Sequence, residues 1–459
     1  MRIAKHPISG PTIRTSAAGR GLRSVARQSL AVLLATSALG VVSAHAVDGT
    51  WTGATGEWVD GTNWTSNPLV PDGTATFSST GTTAVVNDNG SVVIGTVLFT
   101  LAPNAQAYTI TIDNPFIVNG TGIINNSTNT QNFEVTSGNA LVFQNSSTAS
   151  GGTGAVRITN DNGGTLDFED TSSAGNSHST IINNGIMSFN VSSTAGSANI
   201  TNNLELDFFQ ATSAGSANIT NAVAGTLTFN NTATAGSSTI GNSGILQFNN
   251  SSSAGSATIT TTIGATITFN NTSTAGSAHI DLVGAFLSFN NTSSAGSSTI
   301  TMSDQLHPGG INFNNSSTAG NANITVVAST GAGNGSLNFL DTSTAGNATI
   351  TNNPGLGSGG STNFGIVGGT DTSNAGTAHI TNNNMGSTSF LANTSAANAT
   401  ITNNSGGNTN FQDQSTATNA IIVNNSGGTT TFGVPIVGTD TATAANANIT
   451  NHAGGTTEF

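Results

Sequence analysis

Fifteen phenylalanines, from Phe143 to Phe459, recur every 19 to 27 residues, and most of them close a short apolar–x–Phe run. Phe168, Phe189, Phe208, Phe229, Phe248, Phe269 and Phe289 form the tightest part of the series, with steps of 21, 19, 21, 19, 21 and 20. A second marker follows eight of the rings: Ile200, Ile219, Ile240, Ile259, Ile280, Ile300, Ile324 and Ile350 each lie 11 residues after a Phe. A fixed gap alternating with a variable one marks a solenoid whose coils stack and whose loops vary on one side.

Around each Phe the pattern has period two. Leu166, Leu206, Leu227, Leu246, Ile267 and Leu287 stand two before the ring, and Asp167, Asp207, Thr228, Gln247, Thr268 and Ser288 one before. That is a strand with Leu and Phe facing in and polar residues facing out. The second marker alternates likewise, in Ala198/Ile200, Ala217/Ile219 and Ala257/Ile259. Turn formers such as Asn270-Asn271-Thr272-Ser273-Thr274-Ala275-Gly276-Ser277 separate the two strands. The expected fold is all-β, a single-stranded parallel β-helix of about 20–26 residues per coil, with a return arc of 8 to 15 residues able to hold a third short strand. One coil cannot bury its own apolar face, so coils must stack in register at about 4.8 Å, roughly 70 Å in all for the Phe-marked turns. Asn230-Asn231, Asn249-Asn250, Asn270-Asn271, Asn290-Asn291 and Asn314-Asn315 would then stack as amide ladders. From Phe364 onward the inward Leu column becomes Thr362, Thr388, Thr409, Thr430 and Thr457, which predicts a thinner, less stable core there. Two corners lengthen, at Gly365 to Gly369 and Gly433 to Gly438, as loops suited to contact.

Six of the seven basic residues precede residue 28; Leu30 to Val42 is apolar, and Ala44-His45-Ala46 offers a small-residue exit. Residues 1–46 read as a secretory signal. Thirteen apolar residues fall short of the about 20 that a spanning helix needs. The expected division is signal 1–46, an N-terminal cap with the first coils at 47–140, and the repeat array at 141–459. After the signal one base, Arg157, faces twenty acidic residues, a net charge of −19. Without a cationic surface, nucleic-acid binding is excluded and anionic membranes repel the chain. Cysteine is absent, so stability must come from stacking rather than disulfides.

Residues 50–77 carry Trp51-x-Gly53-x-x-Gly56-x-Trp58, then Asn63-Trp64 and Pro71-Asp72-Gly73-x-Ala75-x-Phe77. This pattern resembles the start of bacterial autotransporter passenger domains with autotransporter-associated β-strand repeats. Val92 to Phe99 and Gly120 to Ile123 continue as such passengers do, and Ser317 to Thr325 matches the STAGxAxIT repeat of large secreted passengers; Asp281 departs from it. The resemblance implies a Gram-negative protein, a right-handed β-helix, and display at the cell surface or release outside it through an outer-membrane translocator barrel. That barrel is missing from the sequence, and Phe459 aligns with Phe411 and Phe432 as the next ring of the array, so the expectation is a truncated passenger.

Several residues invite a chemical reading. Asp167 and Asp207 share one outward column two coils apart, about 9.6 Å, beside Glu169, Asp170 and Glu205. That is the long end for an inverting glycosidase pair, making a polysaccharide-active hydrolase or lyase the alternative to a non-enzymatic rod. A solvated acidic face explains the same residues, and a lyase would want a basic partner where only Arg157 exists. His279 and His379 are four coils apart, about 19 Å, too far to share a metal, and His178, His307 and His452 are isolated; no metal or cofactor is expected. Gly151-Gly152-Thr153-Gly154 lacks the Asp of calcium-binding nonapeptides. Outward Thr and Ser columns suggest the ordered water of ice-binding solenoids, but along the sequence Thr, Asn, Ser and Ala alternate irregularly. Trp51, Trp58 and Trp64 suit a cap over the first coil better than a carbohydrate platform, because an uncovered core end must be closed. The expected activity is adhesion, autoaggregation or a structural stalk, with surface glycans, matrix proteins or further copies of the chain as partners.

Overall fold

The computed structural model describes residues 45–303, 307, 309–328, 335–355, 357–433 and 440–459. The signal assigned to 1–46 lies outside them except for its last two residues, and so do residues 434–439 of the corner loop that begins at Gly433. Ala46–Phe459 is one compact unit. It is an all-β parallel solenoid of about 17 turns.

Two sheets carry the turns. The Phe strands, from Gly49–Thr50 to Thr456–Glu458, form a twenty-stranded sheet, and the Ile strands, from Ala84–Val86 to Asn448–Asn451, a seventeen-stranded one. Among the named strands, Ala84–Val86 pairs only with Thr109–Ile112 and Asn448–Asn451 only with Ile421–Asn424, so the Ile sheet is an open ladder. A third line consists of single parallel bridges, Thr148↔Ser173↔Thr194↔Ser213 and onward to Thr443. This corrects the expectation for the return arc. The third strand sits between Phe and Ile, inside the Ser/Thr tract, while the return shrinks to as few as two residues, as between Asn202 and Glu205.

From Phe143 to Phe459 the rings form one column, with neighbouring centroids 4.6–5.1 Å apart and ring planes within 3–9° of parallel. The spacing is that of hydrogen-bonded strands, so each turn lies directly over the last. Phe77 and Phe99 belong to a different column. In the first turns the long strands Val92–Phe99 and Phe116–Asn125 run across two later faces, and the register slips between Ile94 and Thr96. Phe99 consequently lies over Asn125, while Phe143 lies over Val118. The bend at Gly122 needs glycine: φ is +109°, and a Cβ would meet Thr148 O at 2.1 Å.

The paired Asn residues ladder as expected. Asn249, Asn270, Asn290 and Asn314 each donate Nδ2 to Oδ1 of the Asn one turn earlier, at 2.8–3.1 Å. A second Asn column, not foreseen from the sequence, is buried. Asn160, Asn183, Asn202, Asn221 and Asn242, then Asn352, Asn382, Asn403 and Asn424, are fully enclosed. Asn202 Nδ2 donates to Asn221 Oδ1 (2.8 Å) and to the Thr226 carbonyl (3.0 Å), and the same pair of bonds recurs along the column. These amides reach the carbonyls of the residues that open the Phe strands and so tie the two sheets together across the return.

The C-terminal Thr column belongs to the same network. Thr388, Thr409 and Thr430 are fully buried, and each donates its hydroxyl at 2.9 Å to the enclosed Asn of its own turn, Asn382, Asn403 and Asn424. Loss of a Leu side chain is therefore offset by a satisfied hydrogen bond, which the thinner-core expectation did not include.

The tryptophans are core. Trp51, Trp58 and Trp64 are 0–2 % exposed and pack edge-on to one another at centroid separations of 4.9–5.0 Å. Asn63 fastens the loop over them, accepting from the Ala54 and Thr55 amides and donating to Thr55 Oγ1 and the Glu57 carbonyl. They close the first turns and offer no ring face to a sugar. Among the described residues there is no helix long and apolar enough to cross a membrane.

Candidate functional site

Asp167 and Asp207 stand where the sequence places them, on the outward column of the Phe sheet, in the register Asp167↔Ser188↔Asp207↔Thr228. Their surroundings are those of a lattice. Ser188 occupies the gap that an inverting hydrolase leaves for water, and its hydroxyl donates to Asp167 Oδ1 while accepting from Asn190 Nδ2 at 2.9 Å. Asp207 is only 7 % exposed. Neighbouring carboxylates also join turns together: Glu169 accepts from Gln144 Nε2 and Asp170 from the Asn145 amide, both at 2.9 Å. Glu205 opens a strand, and its carbonyl accepts from Asn183 Nδ2 at 2.7 Å. Arg157 is in the Ile sheet, between Asn132 and Thr180, and joins none of these groups.

The histidines stay apart. His279 and His379 share a column of the Ile sheet with three turns between them, through Thr299, Asn323 and Thr349. His178 has its own Asn176 for a partner, and His452 lies exposed on a return. Among the described residues no three His, Asp or Glu side chains are placed to hold a metal ion.

Two other carboxylates are electrostatically perturbed, both in the cap. Glu57 is raised above its ordinary value, first by a hydrogen bond shared with Asp88, then by burial and by the Asp88 charge. Asp60 is lowered by the Thr62 hydroxyl and backbone N–H that it accepts from. Both are structural: Asp60 caps the 3-10 turn Gly61–Asn63.

What the stacking assembles is a set of surfaces. On the outward side of the Ile sheet the residues after each Ile form the column Thr159, Ile182, Thr201, Thr220, Gly241, Thr260, Asp281, Thr301, Thr325, Thr351, Thr381, Thr402, Val423, Thr450. From Thr180 onward Asp281 is the one carboxylate on that face; the other acidic groups lie on the Phe sheet, at corners and on returns. The outward Thr and Ser columns read from the sequence looked irregular because neighbours along the chain were compared, whereas the register compares residues about twenty apart. On another corner a shallow open groove follows Gly255, Gly276, Gly296 and Gly320 and the serines beside them. A Cβ on Gly276, at φ +61°, would lie 2.5 Å from Gly255 O, so close stacking of backbones sets that stripe.

No protein-family model, curated protein or solved structure matches this chain.

Proposed function

We propose that this protein is an exported, non-enzymatic passenger of autotransporter type, acting at the cell surface or beyond it in adhesion, autoaggregation or as a stalk. The observation that carries this reading is the repetition of outward groups in unbroken register from Arg157 to Thr450, with one carboxylate among them after Thr180. Such a face makes many equivalent weak contacts, and their sum acts through avidity rather than through one strong pocket. Its partners on this reading are surface glycans, matrix proteins or other copies of the chain, delivered by the translocator barrel that the resemblance implies. The Trp cap supports the same reading, because it reproduces the motif that opens such passengers and closes the core end.

Display of the chain on Gram-negative cells that lack other adhesins tests the proposal. Clumping of the cells, or their retention on glycan- or protein-coated surfaces, is the expected result, and it should survive replacement of Asp167 and Asp207 by Asn. Cells that neither clump nor adhere while carrying the displayed protein would contradict it.

A further inference from the structure

We propose that the outward face of the Ile sheet between Thr299 and Thr402 is an ice-binding surface, whose ligand is the ordered water of an ice crystal. Three observations meet on it. First, Thr301, Thr325, Thr351, Thr381 and Thr402 follow one another on five successive turns, each opposite the next without a register shift. On the same strands Thr299, Thr349 and Thr400 supply a second hydroxyl two residues away, with Asn323 and His379 on the alternate turns. Side chains at i and i+2 of a strand share one face, so the two columns make a rectangular array.

Second, the turns that carry the array stack with little rotation. Neighbouring strands usually rotate by about 20–25°, yet on the Phe sheet of these same turns successive rings differ by only 3–9° in plane. Each turn is tied to the next on three sides, by both sheets and by the Ser/Thr bridges, and this leaves little room for twist. Third, the hydroxyls are available. Among the described residues these Thr side chains have no intramolecular hydrogen-bond partner, and no Asp, Glu, Lys or Arg stands among them to hold liquid-like water.

Rows of water oxygens on hexagonal ice repeat at a distance close to the strand spacing of about 4.8 Å. Hydroxyls set at that interval anchor water in a lattice-like arrangement, and the Thr methyl groups between them fill the gaps without competing for hydrogen bonds. Adsorption along several turns adds many such weak contacts. The face then pins the crystal surface, which must curve between bound molecules and stops growing.

The test is ice recrystallisation in a sucrose solution containing the whole chain, read by grain size over hours. The intact protein should hold grains near their starting size. Replacing Thr325 and Thr351 with Lys should return growth to that of buffer, while the same charges at Thr268 and Ser288 on the Phe sheet should leave inhibition unchanged, with strand circular dichroism intact in all. If the double Lys variant fails to fold, Thr351→Leu, which adds bulk without charge, should still weaken inhibition severalfold. Grain growth equal to buffer with the folded, intact chain would overturn the proposal, as would equal inhibition by the Thr325/Thr351 variant. Clumping through this face without any effect on ice would assign it to contacts between copies and would overturn it too.

Discussion

Met385 holds a left-handed backbone conformation, φ +63°, at a return position where the following turns place Gly406, Gly427 and Gly454. A side chain in that region costs about 1–2 kcal/mol, and Met385 is 47 % exposed, so little packing is lost on its removal. Met385→Gly should raise the midpoint of urea unfolding by the equivalent of about 1 kcal/mol; a lower midpoint would show that the Met side chain packs usefully. Glu57 offers a second test. Its folded-state affinity for a proton is raised, chiefly by the hydrogen bond shared with Asp88, so the folded cap binds that proton more tightly than the unfolded chain does. Its contribution is therefore fully present at low pH and is lost as pH rises through the raised value. Glu57→Gln should flatten the pH dependence of cap protection in hydrogen exchange through the weakly acidic range, leaving acid-side protection unchanged. The residues in these positions were legible only in part: period-two alternation placed the inward Phe, Leu and Ile, but nothing in Asn383-Asn384-Met385-Gly386 announces a positive φ at Met.

The buried Asn column links the two sheets across the returns. Asn183, Asn202 and Asn403 close Ile strands that precede returns of two or four residues, and each amide bonds to the carbonyl that opens a following Phe strand. Asn403 donates to Asn424 Oδ1 and the Thr429 carbonyl, and accepts from Asn382 Nδ2 and Thr409 Oγ1. Asn403→Leu strands several of these at about 1–3 kcal/mol for each buried orphan. The unfolding midpoint should fall markedly, and a midpoint shift within error would remove the column's structural role. The sequence hid this device because Asn in N-I-T-N reads as a turn former on the surface; only stacking reveals that its side chain points inward. The same blindness made the Thr388, Thr409 and Thr430 column look like a weakened core, since their Asn partners stand six residues away on another strand. Asp167 and Asp207 show the converse. Their shared column was legible from spacing, but Ser188 standing between them as a hydrogen-bonded neighbour acquires its meaning only from the register.

Turns that touch only their neighbours make the solenoid modular. Removing residues 249–269 joins Phe248 to Asn270, which reproduces the natural Phe248-Asn249 junction and takes out one full turn. That deletion should fold with a melting temperature within a few degrees of the parent, whereas removing 249–259 alone should break both columns and expose the chain to protease. Everything above rests on consecutive turns lying in register. The absence of native cysteine allows a clean measurement of it. Cysteines at Thr381 and Thr402 replace direct partners on adjacent turns, within the about 4.4–6.8 Å Cα separation that a disulfide spans. A pair at Thr351 and Thr402 lies two turns apart. Mild oxidation of the folded chain should cross-link the first pair within the molecule and leave the second free. Cross-linking of the second pair, or failure of the first in a folded sample, would contradict the stack.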